Sequence, residues 1–597
     1  MVSKSPRYSI CPADPAGHNF VVSILIPDPA PEQMFWLPAW IPGSYMVRDF
    51  ARHIIGLQAT DNTGAHIELE QLDKQTWRAH HTNTSVLKLT YQVYAWDLSV
   101  RTAFLDQSRA FFNGSSVFLA VKGREQDPCL VHIAPPAEPV DGVWRVATAL
   151  PALTVDPYGF GEYQAESYDA LIDHPVEISD HQPGTFHVNN VPHQIVLSGR
   201  HNADTDRLQN DLQKICQQHI NFWQIPAPMD QYVFMTAVVG SGAGGLEHRA
   251  STALMASRND LPYRGMKDTT SGYRNYLSLC SHEYFHTWNV KRLKPRRFIP
   301  YQLDKESYTE LLWWFEGITS YYDDLGVVRA GCMSAEHYLE ALAQTFTRVH
   351  RGVGRTKQSM AESSFNAWTK FYQQDENAAN AIVSYYSKGA LFALYLDLSI
   401  RQRTQGRQSL DDLVRAVWQT HSTDGVPERG IPVVAAQVIA CDLSDVFALG
   451  LYDTEDLPLA PLLAEFGVQM IWGTPRNLQQ PGGQSTQLKS DALCLGVRFE
   501  QHPLGAKVAV VHTDSPAHKA GISAGDIIIA IDQLQTDAAR IDAQLARYQA
   551  GDKINIHLFR RDELREHHAT LAVGAQTTCV LSLHDRYKVS LWLEIDA

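Results

Sequence analysis

Hydrophobic and polar positions follow two different periods along the chain, and the period changes near residue 200. Before that point, short apolar runs such as VVSILI and a two-residue alternation at Leu87, Leu89 and Tyr91 are typical of β-strands. We therefore predict a β-rich N-terminal domain over residues 1–200.

Residues from about 203 to 465 follow a helical period. Apolar residues recur at spacings of three and four in DRLQNDLQKICQQHINFW, SAEHYLEALAQTFTRVH and GALFALYLDLSIRQR. A stretch rich in Pro and Gly then interrupts both periods and is typical of a linker. We predict a domain over residues 201–474, a linker over 475–487 and a separate module over 488–597.

Two N-terminal segments are richer in aromatic and charged residues than a sandwich core would be. They are WIPGSYMVRDFAR, from Trp40 to Arg52, and SVRTAFLD, from Ser99 to Asp106. We expect these two segments to face a neighbouring domain.

Length, charge and cysteine usage narrow the class of protein. A chain of 597 residues is too long for one hydrophobic core. Its net charge of -14 argues against a nucleic-acid partner, because such binding depends on Lys and Arg. No stretch has the length of apolar sequence that a membrane span or secretory signal needs, and the eight cysteines form no CxxC pair. We expect a cytoplasmic protein with reduced cysteines and no membrane partner.

The segment HEYFH, from His282 to His286, carries the clearest candidate chemistry. On a helix running from about Ser271 to Asn289, the two imidazoles share one face, and Glu283 can reach a water on a metal without being a ligand. This arrangement indicates metal-assisted hydrolysis with Zn²⁺, one ion per chain, and Glu283 as the catalytic base.

A catalytic zinc needs a third protein ligand, and two glutamates compete for that role. Glu306 precedes an apparent helix start, where Ser307 and Glu310 form a capping-box pattern. Glu316 lies further into the same predicted helix, where a rigid backbone could aim its carboxylate. We favour Glu316, with Glu306 as the alternative.

The HExxHxW motif followed by EGITSYY resembles the glycyl aminopeptidase family, distant relatives of the thermolysin-like gluzincins. The resemblance implies a thermolysin-like α+β catalytic domain over 201–474, and an aminopeptidase that removes small N-terminal residues, Gly or Ala, from peptides. It also implies Glu316 as the third ligand. The sequence departs from the related zinc aminopeptidases by placing Phe315 before this Glu where they have Asn, and by a longer spacer, with KRLKPRRFIPYQL as an inserted loop.

Two further segments match the same resemblance. SGAGGLEH is similar to the strand that lies along the substrate backbone, which implies substrate binding by Gly244, Gly245 and Glu247, with the Glu247 carboxylate facing the free α-amine. SYYSKGA is similar to the segment whose Tyr donates a hydrogen bond to the oxyanion. Aligning on SKG selects Tyr386, and Tyr385 is the alternative.

Residues 488 to 575 resemble a PDZ domain. CLGVRFE corresponds to the carboxylate-binding loop, and DSPAHKAGISAGDIIIAID is similar to the bacterial PDZ core. The resemblance implies that backbone N–H groups near Leu495, Gly496 and Val497 bind a C-terminal or extended peptide. The alternative is that the module only packs on the catalytic domain as a stabilising or gating piece.

The sequence thus predicts a multidomain zinc aminopeptidase, a peptide hydrolase acting on peptides with a free N-terminus. Within enzymes the alternative is an endopeptidase that receives its substrates through the PDZ domain. A different class is an inactive PDZ adaptor with a structural zinc, against which an intact Glu283 argues, because a structural site needs four protein ligands and no base.

Overall fold

The computed structural model describes residues 4–81, 84–489 and 491–596. The chain divides into two compact units, residues 1–307 and residues 308–597, and each is presented by itself. Among the described residues, none of the helices combines the length and the apolar character needed to cross a membrane.

The first part of unit one is β-rich, as predicted. Its strands are β1 (Arg7–Asp14), β2 (Asn19–Pro27), β3 (Glu32–Trp36), β4 (Ile54–Thr60), β5 (His66–Gln71), β6 (Thr76–His80), β7 (Val86–Tyr94), β8 (Ala103–Leu105), β9 (Arg109–Phe112), β10 (Ala120–Val121), β11 (Cys129–Ile133), β12 (Arg145–Ala147), β13 (Ala152–Val155), β14 (Gly161–Ala165) and β15 (Val176–Ser179). Two short helices are α1 (Gly114–Val117) and α2 (Tyr168–Ile172).

These strands form a large sheet and a small one in the described residues. The large sheet runs β10-β3-β6-β5-β4-β7-β2-β1-β11-β14-β13, and the small one runs β12-β15-β9-β8. Alternate residues of β2, such as Phe20, Val22 and Ile24, are fully buried, which is the pattern of a sheet with one face on the core.

The second part of unit one holds a mixed sheet with helices. Its elements are β16 (Gly184–Val188), β17 (Val191–Ser198), α3 (Thr205–Trp223), β18 (Tyr232–Val239), β19 (Gly244–Glu247), β20 (Ser251–Ser257) and α4 (Ser271–Phe285). The sheet order is β16-β17-β18-β20-β19, with β17, β18 and β20 parallel to one another and β19 antiparallel at one edge.

This sheet begins before the predicted boundary at residue 200. The hairpin of β16 and β17 precedes that boundary, yet β17 pairs with β18 from His193 to Ser198. The change from strand to helix period marks the start of α3, which packs on this sheet, rather than the start of a new domain.

Unit two is mainly helical over its first part. The helices are α5 (Thr319–Arg329), α6 (Ala335–Arg351), α7 (Met360–Phe365), α8 (Ala378–Ala381), α9 (Ser387–Thr404), α10 (Leu410–His421), α11 (Gly430–Val438), α12 (Ser444–Phe447) and α13 (Leu459–Glu465). α9 is buried on nearly every side, from Ser387 to Arg401, and forms the centre of this helical core.

The remainder of unit two contains the PDZ-like sheet. Its elements are β21 (Val468–Gly473), β22 (Leu493–Cys494), β23 (Val497–His502), β24 (Gly505–Val511), α14 (Pro516–Lys519), β25 (Ile527–Ile531), β26 (Leu534–Gln535), α15 (Ile541–Leu545), β27 (Lys553–Arg560), β28 (Glu563–Thr570), β29 (Ala572–Val573), β30 (Thr578–Leu583) and α16 (Arg586–Leu593). The sheet order is β23-β24-β25-β27-β28, and β26 pairs with β25. Val508, Ile528 and Ile556 are fully buried in its core.

The end of the chain differs from the predicted module over 488–597. β30 pairs antiparallel with β21, and α16 packs on α5 and α6 rather than on the PDZ-like sheet. The physical reason is that Trp592 and Leu593 of α16 are fully buried, and Trp592 contacts the Tyr338 ring of α6. The stretch predicted as a linker also packs on α6, since Gln484 donates a hydrogen bond to Glu340.

Candidate active site

The helix α4 presents the HEYFH motif. Thr270 caps its N-terminus by accepting a hydrogen bond from the Tyr273 N–H at 3.2 Å. The helix ends at Phe285, earlier than the predicted Asn289, because the chain then turns and brings the Asn289 carbonyl onto the His286 ring. His286 keeps helical dihedral angles as the C-cap, so it remains one turn beyond His282.

Buried polar contacts fix the opposite side of α4. The Tyr284 hydroxyl lies 2.9 Å from His193 Nε2, and the Ser281 hydroxyl lies 2.7 Å from His219 Nε2. Burial lowers the pKa of His193 to about 4, so this imidazole is neutral at pH 7 and acts as a hydrogen-bond partner. These contacts determine the rotation of the helix about its axis and hence the direction of its catalytic face.

The two histidines of the motif point their Nε2 atoms at the same place. The Nε2 atoms of His282 and His286 are 3.0 Å apart. His286 donates its Nδ1–H to the Asn289 carbonyl at 2.7 Å, which leaves the lone pair on Nε2. Two nitrogen ligands on a tetrahedral zinc, each at about 2.0–2.1 Å, lie roughly 3.3 Å apart. The donor atoms and their spacing therefore fit a zinc ion.

Glu283 lies under the backbone of β19. Its side chain is buried, and a Cβ on Gly245 would collide with its carboxylate. Glycine is therefore required at position 245, because only a residue without a side chain lets the strand approach this closely. β19 is the edge strand of its sheet, which leaves one backbone edge facing away from β20.

Glu247, at the end of β19, joins the same buried group. Ligand atoms of Glu247, Glu283 and His286 all lie within 4.8 Å of one another. Two carboxylates this close repel each other, and a cation placed between them relieves that repulsion. A Cβ on Gly43 would also collide with the Glu247 carboxylate, so the WIPGSY segment covers this acid.

Arg101 and Gly43 are functional candidates that sequence reasoning did not identify individually. Arg101 donates from Nη2 to the Gly245 carbonyl at 3.2 Å. A side chain of the N-terminal β-rich part thus binds the backbone of β19. The available signal was the unusual composition of the two segments from Trp40 to Arg52 and from Ser99 to Asp106. Each segment contacts β19, the strand predicted to bind substrate, because Arg101 hydrogen-bonds to Gly245 and Gly43 lies against Glu247.

A second buried charge cluster lies next to this site. Asp173 forms an ion pair with Lys291 at 2.6 Å and accepts a hydrogen bond from the Arg249 N–H at 3.1 Å. Burial by itself would raise the pKa of Asp173, but Lys291 and Arg249 hold it well below its ordinary value. The chain reaches this position through Val290, whose φ of 115° is strained for a β-branched residue.

Glu306 lies in unit one, outside any helix and only partly buried. In the described part of that unit, the acids gathered at His286 are Glu247 and Glu283. The helix start predicted at Ser307 is wrong. Residues 301–310 form turns and extended chain, because Glu428 accepts hydrogen bonds from the Thr309 hydroxyl and the Glu310 N–H.

Glu316 is buried in unit two, within a π-helical turn over Trp313–Ile318 that leads into α5. A Cβ on Gly317 would collide with Gly389, so this turn crosses the start of α9 at backbone contact. Tyr386 immediately precedes α9, and burial followed by the charge of Glu316 raises its pKa well above the ordinary value. Unit two thus brings Glu316 and Tyr386 together.

The alternative, Tyr385, is fully buried, and its ring centroid lies 4.7 Å from that of Tyr386. The Tyr386 hydroxyl lies 3.2 Å from the Tyr372 hydroxyl, and Tyr386 also lines an open cleft. Access to this cleft favours Tyr386 over Tyr385 as a group that can meet a substrate.

The predicted peptide-binding loop of the PDZ-like module precedes β23, an edge strand. Gly496 has φ of 71°, and a Cβ there would collide with Ser515. Leu495 and Val497 are buried, and the Leu495 carbonyl accepts a hydrogen bond from the Ala517 N–H at 3.0 Å. Glycine is therefore required at the centre of the loop.

Comparison with known proteins places these features in a family. Residues 7–180 match the Peptidase M61 N-terminal domain, residues 275–392 match the M61 glycyl aminopeptidase model, and residues 494–571 match the PDZ domain. The crystal structure of an aminopeptidase N family protein from Idiomarina loihiensis is 45% identical, with a TM-score of 0.95, and the match covers 98% of this chain and 100% of that one. The chain belongs to the M61 glycyl aminopeptidase family. It is accordingly an aminopeptidase, a peptide hydrolase of the metallopeptidase class.

More distant similarities extend beyond M61. An M1 zinc metallopeptidase from Deinococcus radiodurans is 13% identical with a TM-score of 0.49, and the match covers 76% of this chain and 95% of that one. Yeast LTA4 hydrolase in complex with bestatin is 11% identical with a TM-score of 0.47, covering 76% and 68% of the two chains. None of the curated proteins matches this M61 chain.

Proposed function

We propose that this M61 peptidase is a zinc-dependent aminopeptidase that removes small N-terminal residues, Gly or Ala, from peptides. The observation that carries the proposal is the convergence of the His282 and His286 Nε2 atoms, 3.0 Å apart, beside the buried carboxylates of Glu283 and Glu247. His282 and His286 supply metal ligands for hydrolysis, and Glu283 supplies the base. Glu247 selects substrates that have a free amine.

In the proposed site, His282, His286 and Glu316 hold one zinc ion per chain. Bound zinc would supply Lewis acidity, polarising the scissile carbonyl and acidifying a water molecule. Glu283 accepts the proton of the attacking water and passes it to the leaving amine. Tyr386 donates its O–H to the carbonyl oxygen as negative charge develops there.

Substrate recognition is assigned to β19. The outer backbone edge of β19 at Gly244 and Gly245 pairs with the substrate backbone, beside the Gly245 carbonyl that Arg101 already binds, and Glu247 forms an ion pair with the α-ammonium. Gly43 lies against the Glu247 carboxylate, which leaves little room beside the ammonium and supports a preference for Gly or Ala.

The PDZ-like module is proposed to bind a C-terminal or extended peptide at Leu495, Gly496 and Val497. The edge position of β23 supports strand addition by such a peptide. A cytoplasmic location also stays a prediction, in keeping with eight cysteines that are all free.

The decisive experiment combines metal analysis of the purified protein with cleavage of two matched peptides, a Gly-peptide with a free N-terminus and its N-acetylated form. We expect close to one zinc per chain and release of Gly from the free peptide only. Internal cleavage of the acetylated peptide at a similar rate would favour the endopeptidase alternative. A folded protein that holds zinc but hydrolyses neither peptide would favour the adaptor.

A further test concerns the third ligand. Glu316→Ala should lower zinc occupancy, because a two-histidine site binds the ion much more weakly than a site with three protein ligands. Glu306→Ala is the matched control and should retain zinc. Loss of zinc in the Glu306 variant alone would show that the assignment of the ligand is wrong.

A further inference from the structure

A cleft of about 490 Å³ opens beside Tyr386 in unit two. Its wall includes Arg348, Arg351 and Arg355 from the region of α6, Ser387 from α9, and His512 from the PDZ-like module. Tyr386, the proposed oxyanion donor, also lines the cleft, so a substrate bound there would lie beside this residue.

The cleft carries positive charge in a protein whose net charge is -14. Its lining contains three arginines and no Asp or Glu. Arg355 is neutralised by an ion pair with Asp456 at 2.9 Å. Arg348 and Arg351 form no ion pair within the described residues, so two guanidinium charges remain for an anion.

These two arginines are held in different ways. Arg351 donates from Nη1 to the Leu478 carbonyl at 2.9 Å and from Nη2 to the Thr578 hydroxyl at 3.1 Å. Burial lowers its pKa to about 10, which leaves it charged at pH 7. Arg348 is solvent-exposed at the rim, with one long hydrogen bond of 3.4 Å to the Ser387 hydroxyl, so its guanidinium is available to a ligand.

The PDZ-like module forms part of this wall through specific contacts. Asn380 donates from Nδ2 to the Val511 carbonyl at 2.9 Å and accepts a hydrogen bond from the Thr513 N–H at 2.9 Å. His512, between those two residues, is thereby fixed at the cleft. Its pKa is lowered by burial and then by Arg351 and Arg498, so at neutral pH it is a neutral hydrogen-bonding group.

We propose that this cleft binds the carboxylate of a short peptide substrate, with Arg348 as the main ligand and Arg351 adding charge. A sphere of the same volume is about 10 Å across, and an extended chain rises about 3.3–3.6 Å per residue, so the cleft accommodates about three residues. The enzyme would then select short peptides with a free C-terminus. This inference rests on the proposed aminopeptidase function and names its substrate class.

The test compares Gly-Gly-Phe, its C-terminal amide and Gly-Gly-Asp-amide. We expect kcat/KM for the free acid to exceed that for the amide by about tenfold, mainly through KM, because a charge-assisted contact to an exposed guanidinium is lost. In Arg348→Met this ratio should fall to near one, and Arg348→Lys should restore part of it. Arg403→Met, which removes an exposed arginine paired with Asp445, is the control and should keep the wild-type ratio.

The same peptides are titrated into the Glu283→Gln protein by calorimetry, which reads binding without turnover. We expect about tenfold tighter binding of Gly-Gly-Phe than of its amide, and loss of that difference when Arg348→Met is added. Rescue of affinity by Gly-Gly-Asp-amide would assign the cleft to an acidic side chain rather than to the C-terminus. Equal affinities for all three peptides would overturn the inference, and absence of hydrolysis with the affinity difference intact would refute only the proposed function.

Discussion

Two clusters of buried charge lie side by side in the first unit, and they differ in composition. In one, Asp173 meets the cations Lys291 and Arg249 and the ring of His248. In the other, two acids, Glu247 and Glu283, are gathered at a histidine ring. The clusters share elements, because His248 and Arg249 directly follow Glu247.

The difference separates structural charge from functional charge. The Asp173 cluster contains its own counter-ions, so the charge of Asp173 is balanced by folding alone, and the cluster binds the loop after α4 to the N-terminal sheets. Two carboxylates beside a pair of converging imidazoles instead suit a zinc ion and an ammonium group supplied from outside. Substitutions in the two clusters should therefore have different consequences.

The largest effect is expected at Glu283. Glu283→Gln should reduce turnover by roughly two to four orders of magnitude while zinc stays bound, because it removes the base and leaves the ligands intact. Zinc content and single-turnover rates measure the two properties separately. Glu306→Gln is the control, and near-normal turnover of a zinc-loaded Glu283→Gln protein would refute the role of Glu283.

In the Asp173 cluster the expected effect is on stability. Lys291→Met should lower the free energy of unfolding by about 3–5 kcal/mol, because it leaves a buried carboxylate without its closest counter-ion. Denaturant titration of the first unfolding transition measures this, with the exposed Lys370→Met as control. Adding Asp173→Asn should recover part of the loss. A change below about 1 kcal/mol would show that the Lys291–Asp173 pair is not a main structural tie.

The smallest of the three effects is expected at Glu247, and it depends on the substrate. Glu247→Gln should lower kcat/KM for free-amine peptides by about 10- to 200-fold, as expected for a lost charge-assisted contact of roughly 1.5–3 kcal/mol. N-acetylated peptides have no ammonium group, so their slow turnover should change little. An equal loss on both substrates would point to a folding defect or an endopeptidase.

Local patterns predicted much of the fold. The helical period located α3 and α6, and the two-residue alternation located β7, because in each of these one face of the element is buried. The same spacing located α9, although that helix is buried on nearly every side. The boundary predicted at residue 200 falls between β17 and β18, which pair in one sheet although the whole of α3 separates them. The periodicity of a single segment does not show which distant strand pairs with it.

The site shows the same division between local and distant information. His282, Glu283 and His286 were predicted from a five-residue motif, since one helical turn sets their geometry. Arg101 could not be assigned in this way, because it meets Gly245 across 144 positions of sequence. The helix start at Ser307 failed for a similar reason, since the acceptor that captures the Glu310 N–H is Glu428, 118 positions away.

The pairing of β21 with β30 changes how the PDZ-like module is to be regarded. In that ladder Gly473 lies opposite Thr578, so the chain leaves the catalytic helices and returns to them at neighbouring points. The module is thus an insertion within a hairpin and not a tail, an arrangement that exposed loops commonly tolerate. A truncation before it would also remove α16 and its buried Trp592, whereas a short turn joining the two strands would excise the module and leave the catalytic helices complete.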